Sequence, residues 1–262
     1  MRTWTLGLAL LGALSLGTTE CDHHDEEGNG TVAQDTYAFD GVRRVVNRTF
    51  LEVDLTVEDG LDRGRITCDE NLLEHLWMEQ EGDTLVIEKT PVIDLEPRVD
   101  CFARVIVEDL AQVEVRGSGV VLVDGRLDGL RDLVIAGSGE LEVVDPVRSE
   151  HLRLEIAGAG DTTVHALGGA RLEIEVAGSG DATFLAGTAA DVDVTVEGAG
   201  DVDALAVTAP TGRVLVQGSG DVALTATEGV EIAIHGSGDV RIAGDPQDRE
   251  VHVQGSGDVV FE

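Results

Sequence analysis

One phrase constrains this chain more than any other: a β-branched residue, a variable one, then Gly-Ser-Gly or Gly-Ala-Gly, usually followed by Asp. Its first glycines are Gly117, Gly137, Gly158, Gly178, Gly198, Gly218, Gly236 and Gly255, so the spacings are 20, 21, 20, 20, 20, 18 and 19 residues. A repeat of this length marks a solenoid, in which each unit is one coil that buries its apolar face against its neighbours.

Aligning the units on the first glycine exposes a period of two. Four residues before it stand Val113, Leu133, Leu154, Ile174, Val194, Val214, Ile232 and Val251. Two before it stand Val115, Ile135, Ile156, Val176, Val196, Val216, Ile234 and Val253. The position between them is mostly polar, which reads as a strand with one buried face. Beyond the glycines the alternation resumes, with Val121, Leu141, Thr162, Ala182, Val202, Val222, Val240 and Val259 at the fourth position. Val123, Val143, Val164, Phe184, Ala204, Leu224, Ile242 and Phe261 follow at the sixth. Each unit is therefore strand, bend, strand. Glycine and β-branched residues disfavour helix, and no apolar stripe at spacing three to four survives the alignment. At the bend the glycines are expected to supply unusual dihedrals. The Ser or Ala between them is expected to stay small to avoid the coils above and below. The fold class is all-β: a single-stranded β-helix of about 20-residue coils. Eight coils at a strand spacing of roughly 4.8 Å give a rod of about 35–40 Å.

The remaining sequence frames these repeats. Residues 1–20 read as a signal peptide, with Arg2 at its start and an apolar run too short to span a bilayer. Cys21 stands where a lipoprotein's first mature residue would, although Thr18, Thr19 and Glu20 depart from the usual small residues; ordinary cleavage near Gly17 or Thr18 is the alternative. Residues 21–35 read as an acidic tether, whose His23 and His24 beside Asp25, Glu26 and Glu27 fit a polar linker better than a metal site. Residues 36–262 form one β-solenoid domain, with irregular first coils and a cap over 36–110 and eight repeats over 111–262. Within the cap, strands are expected over Phe39–Val46, Leu51–Val57 and Leu85–Glu88. Asp69 is expected to cap a short helix or turn, and Thr90 to Asp100, with Pro91 and Pro97, to form a loop. If Cys21 is lipidated, Cys68 and Cys101 remain to form one disulfide in an oxidising compartment; two buried thiols are the alternative.

Charge narrows the partners. The 262-residue chain has 51 acidic and 18 basic residues, a net charge of −33, and Lys89 as its only lysine. Such a surface repels nucleic-acid phosphates and anionic lipid, leaving a lipid anchor as the membrane attachment. Partners are expected to be an envelope protein or a surface ligand. After the second glycine come Glu140, Asp161, Asp181, Asp201, Asp221, Asp239 and Asp258. In stacked coils these carboxylates sit about 5 Å apart and repel by roughly 1 kcal/mol per pair. Bound Ca²⁺ over Asp161, Asp181, Asp201, Asp221, Asp239 and Asp258 would offset this. The plainer reading is that each Asp caps its own turn, as Asx turns do, with no cofactor.

Catalytic signatures are missing. The sequence has no nucleophile elbow, HExxH or phosphate loop, and its seven histidines are scattered. Outside the signal it keeps one tryptophan, Trp77, and one tyrosine, Tyr37, too few for the aromatic platforms of a polysaccharide-active β-helix enzyme.

The stretch Asp69–Glu88 (DENLLEHLWMEQEGDTLVIE), then Val105–Val121 (VIVEDLAQVEVRGSGVV), then the GSGD series, resembles the family called putative auto-transporter adhesin, head GIN domain. The resemblance covers Phe39 to Glu262. It implies a right-handed β-helix in a bacterial protein that is secreted or held in the cell envelope, and it transfers no catalytic residue. No membrane barrel follows the repeats before Phe261-Glu262, so self-secretion is not expected. The function expected is a non-catalytic, rigid surface or scaffold for adhesion or protein interaction. A Ca²⁺-dependent or envelope-stress-related binding module in the periplasm is the alternative. The last coil, with Val251, Val253, Val259 and Phe261 uncovered, is expected to give weak end-to-end self-association.

Overall fold

The structure, a computed structural model, describes residues 24–262; the signal, Cys21 and His23 lie outside the described residues. The repeats stack in register. On the first face Val113 lies on Leu133, Leu133 on Leu154, and so on through Ile174, Val194, Val214 and Ile232 to Val251, all in parallel pairing. On the second face the series runs from Val121 through Leu141, Thr162, Ala182, Val202, Val222 and Val240 to Val259. This is a β-solenoid. The four apolar positions of the alignment are buried in the first seven repeats. In the last repeat Val251 and Val253 are 39% and 45% exposed, because no further coil covers them.

The core has a third side that the alignment does not reveal. Leu127 bridges Val147 and Val147 bridges Leu167, and the row continues through Gly187 to Val207. Leu130, Leu152, Leu172, Val192 and Val230 fill the core from the approach to the first face. Burial of each such side chain contributes about 1.5–3 kcal/mol.

Glycine is required at the bend for a steric reason, not for its dihedrals. None of the motif glycines has a positive φ. Instead, a Cβ on Gly158, Gly178, Gly198, Gly218, Gly236 or Gly255 would overlap the carbonyl oxygen of the glycine one coil earlier. The Ser or Ala between the glycines faces solvent.

The cap departs most from expectation. Residues 42–57 form a coil with no glycine motif, held between the strands Thr84–Lys89 and Phe102–Val107 on one side and the first glycine coil on the other. The chain runs through this middle layer, builds the layer below it, and then steps over it to continue upward. At its bend Gly117 and Gly119 donate to the carbonyls of Asn47 and Thr49. A buried side-chain network shapes the bend. Asn47 Nδ2 donates to Leu51 O, while Asn47 Oδ1 accepts from the Thr49 amide and hydroxyl at 2.9 and 2.7 Å.

Several local expectations are corrected. The strand expected over Phe39–Val46 is a turn followed by Arg44–Asn47, because Gly41 takes φ +68° and Asp62 accepts the Val42 N–H. The expected tether contributes the strands His24–Glu27 and Val32–Ala38. The first pairs in parallel with Ile93–Glu96, inside the stretch expected to be a loop. The second pairs antiparallel with Arg63–Asp69. A polar segment is thus ordered by edges it could not be seen to meet. The turn at Leu73–His75 is a 3₁₀ helix whose start, Leu72, receives no side-chain cap; Asp69 is occupied elsewhere.

Candidate functional site

The aspartate row is a ladder built between coils. Asp161 Oδ1 accepts the backbone N–H of Asp181 at 2.8 Å, and Asp181 does the same for Asp201. Asp201 takes Asp221, Asp221 takes Asp239, and Asp239 takes Asp258, each at 2.7 Å. Each aspartate therefore caps the next coil, not its own turn. The carbonyl of each receiving aspartate is tied to the same preceding coil, since Thr162, Ala182, Val202, Val222 and Val240 donate to the following coil's Asp carbonyl. Glu140 stands outside the ladder; its own N–H goes to Gly119 O. One oxygen of each carboxylate from Asp161 to Asp239 is thus committed to backbone, which offsets part of the repulsion along the row.

The second constellation stitches the cap. Asp69 is buried and accepts the N–H groups of Gly30, Arg98 and Val99 at 2.6, 2.8 and 3.1 Å. Burial acts to raise the Asp69 pKa, but those three N–H groups and the Arg98 charge outweigh it and hold the carboxyl below its usual range. Beside it, Cys68 and Cys101 are joined in a disulfide. One carboxylate and one covalent bond thus tie together three segments distant in sequence.

A third group is the one cluster outside the cysteines whose spacing could hold a metal among the described residues. Glu26, Glu74 and His75 bring ligand atoms within 4.8 Å of one another. His75 Nε2 lies 2.7 Å from Glu26 Oε2, and its Nδ1 lies 3.3 Å from the Thr90 hydroxyl. Both ring nitrogens therefore already have partners. This contact was not readable from sequence, because it depends on Glu26 being brought in by a strand in the expected tether. The other described histidines with ion-pair contacts lie separately on the surface, His151 by Glu173, His165 by Glu142 and His252 by Glu250.

The profile described as "Putative auto-transporter adhesin, head GIN domain" matches residues 48–246. The chain belongs to that family. Its fold is shared by a solved putative adhesin from Parabacteroides distasonis, at TM-score 0.81 and 20% identity, covering 91% of this chain and 100% of that one. A putative adhesin from Parabacteroides merdae gives the same TM-score and identity over 91% and 99% of the two chains. A third structure, titled a putative lipid binding protein from Parabacteroides distasonis, aligns at TM-score 0.82 and 24% identity over 91% and 99%. No curated protein sequence matches. The family and two of these neighbours carry adhesin names and the third a lipid-binding name, and the family name suggests an adhesion-like role at a surface. Among the described residues no helix is long and apolar enough to cross a membrane.

Proposed function

We propose that this GIN-domain protein is a non-catalytic, extracytoplasmic rod whose flat sides serve as a rigid surface for adhesion or protein interaction. The observation that carries this reading is the continuity of its outer faces. Side chains one coil apart lie in straight rows, and the largest ion-pair group among the described residues spans two adjacent rows. Arg153 meets Glu155, Glu173 and Glu175 at 3.3, 3.7 and 2.8 Å. A surface of that kind recognises a partner by charge pattern over several coils rather than by enclosing a small substrate. The signal-like residues 1–20 and the Cys68–Cys101 bridge support a place outside the cytoplasm.

The test is capture of envelope components by the purified protein and by Arg153→Glu, with folding of the variant checked by circular dichroism. A partner held by the native protein and lost by the variant supports the reading. Release of reducing sugar from envelope polysaccharide would overturn it in favour of an enzyme.

A further inference from the structure

The protein is poor in cations, yet three arginines gather on one outer patch of the cap. The strand Arg63–Asp69 lies antiparallel between Val32–Ala38 and Phe102–Val107. Register places Arg65 directly opposite Arg104, with Thr36 on its other side, and Arg63 opposite Ile106 on the same face. Like charges directly opposed across a ladder weaken the pairing unless something offsets them. Arg104 has Asp54 at 3.2 Å, and Arg63 has Glu58 at 3.0 Å. Among the described residues Arg65 has no carboxylate at ion-pair distance, and its Nε is buried without a hydrogen-bond partner. The other described arginines that lack an ion pair, Arg131, Arg148 and Arg241, are exposed and solvated, whereas Arg65 is half-buried.

A shallow cleft of about 350 Å³ opens at this point, bounded by Thr36, Tyr37, Arg63, Arg65, Arg104 and Ile106. Its walls are largely apolar, formed where Ile106 and the arginine stems meet the Gly64 backbone. A half-buried guanidinium with no described carboxylate beside it is costly, and an anion held in the cleft against the rest of that group would offset its charge.

We propose that this cleft binds a phosphate monoester carried on an apolar body. Arg65 and Arg104 bring guanidinium groups to the cleft from neighbouring strands, the Arg104 Nε already on Asp54 and its Cζ 5.3 Å from the Phe102 ring centre. A tetrahedral phosphate has oxygens for both groups, whereas one arginine already satisfies the two oxygens of a carboxylate. The apolar wall then covers the carbon chain beside the phosphate. Its source is either a lipid headgroup or a soluble phosphate ester.

The experiment is calorimetric titration of the native protein at low salt with inorganic phosphate, octanoate and dihexanoyl phosphatidic acid. Sedimentation with phosphatidic acid vesicles, against phosphatidylcholine vesicles, distinguishes a membrane source from a soluble one. Dihexanoyl phosphatidic acid should bind more tightly than either other small probe. Arg65→Gln should weaken it roughly tenfold or more, the size expected from losing a charge-assisted hydrogen bond. Arg104→Gln should weaken it too, while Arg131→Gln, in the stack, should not. Because Arg65 opposes a like charge, Arg65→Gln should melt no lower than the native protein, so loss of binding is not loss of fold. No binding of any probe, or equal binding by Arg65→Gln and Arg131→Gln, would overturn the site. Equal affinity for inorganic phosphate and the lipid analogue would overturn the apolar half and leave free phosphate as the ligand.

Discussion

The glycine coils and the glycine-free coil at residues 42–57 solve one problem in two ways. In the glycine coils the bend is shaped by subtraction: with no Cβ, one backbone packs against the carbonyl of the next. In the glycine-free coil the bend is shaped by addition, with the Asn47 and Thr49 side chains supplying the donors and acceptors. The first device repeats indefinitely because each coil offers its neighbour the same carbonyl. The second works once, at the junction where the neighbours above and below differ. Repetition stabilises the stack and singular polar contacts stabilise the cap, so substitutions should act differently in the two regions.

The sharpest contrast comes from the core. Val176 is fully buried between Ile156 and Val196. Val176→Asp leaves a charge between coils with no partner, costs several kcal/mol, and should prevent folding. Circular dichroism that shows a native melt for this variant would mean the register is wrong.

Next in size is the bend. Gly178→Ala sets a methyl on the Gly158 carbonyl, so backbone must move, and about 3 kcal/mol should be lost in urea unfolding. Gly229→Ala is the control. Its added methyl meets nothing closer than 3.6 Å, and its φ is ordinary, so stability should hold or rise slightly. Equal losses at both positions would show that glycine acts through flexibility after all.

For the glycine-free bend, Asn47→Ala leaves the Thr49 amide and the Leu51 carbonyl buried without partners. About 2 kcal/mol should be lost. A neutral result would mean that water replaces the side chain there.

What the sequence reveals follows the same division. The two long faces were legible because each apolar position recurs at a fixed offset from a glycine, as Ile156 and Val176 do. The third side was not, because the segment carrying Leu127, Val147 and Val207 is where the repeat length varies, so alignment on the glycine drifts. The coil of residues 42–57 was hidden because Asn47 and Thr49 do the work of the motif without its letters. The aspartate row was legible as a ladder. Its bonding was not, since a carboxylate that caps its own turn and one that caps the next coil look alike in sequence. Glu26 beside His75, and Arg65 opposite Arg104, depend on long-range strand order and left no local signal.

Acid should separate cap from stack. The Asp69 carboxyl is more acidic in the folded protein than its ordinary value, near 3.9. Its contribution is therefore complete above that value and is lost as pH falls through the folded-state pKa. Asp69→Asn keeps the shape without the charge. It should be less stable than the native protein at pH 7, and the difference should shrink below about pH 3.9. Unfolding curves at the two pH values test this; a difference that does not change with pH would remove Asp69 from the acid response.

The smallest effect is expected at the aspartate ladder, and it decides what the ladder is for. Asp201→Ala removes the acceptor of the Asp221 N–H and also one like charge between Asp181 and Asp221. The lost hydrogen bond destabilises and the relieved repulsion stabilises, and both act at an exposed site. The net change should stay within roughly 0.5 kcal/mol. Calcium sharpens the reading. If the carboxylates serve the backbone, millimolar Ca²⁺ and Mg²⁺ should shift Tm equally, through general screening of an acidic protein, and Asp201→Ala should respond like the native chain. A metal site behaves otherwise, because an ion that binds only the folded state raises Tm with concentration. A Tm that rises with Ca²⁺ but not Mg²⁺ in the native protein, and in neither for Asp201→Ala, would turn the ladder from a backbone clamp into a calcium-binding edge.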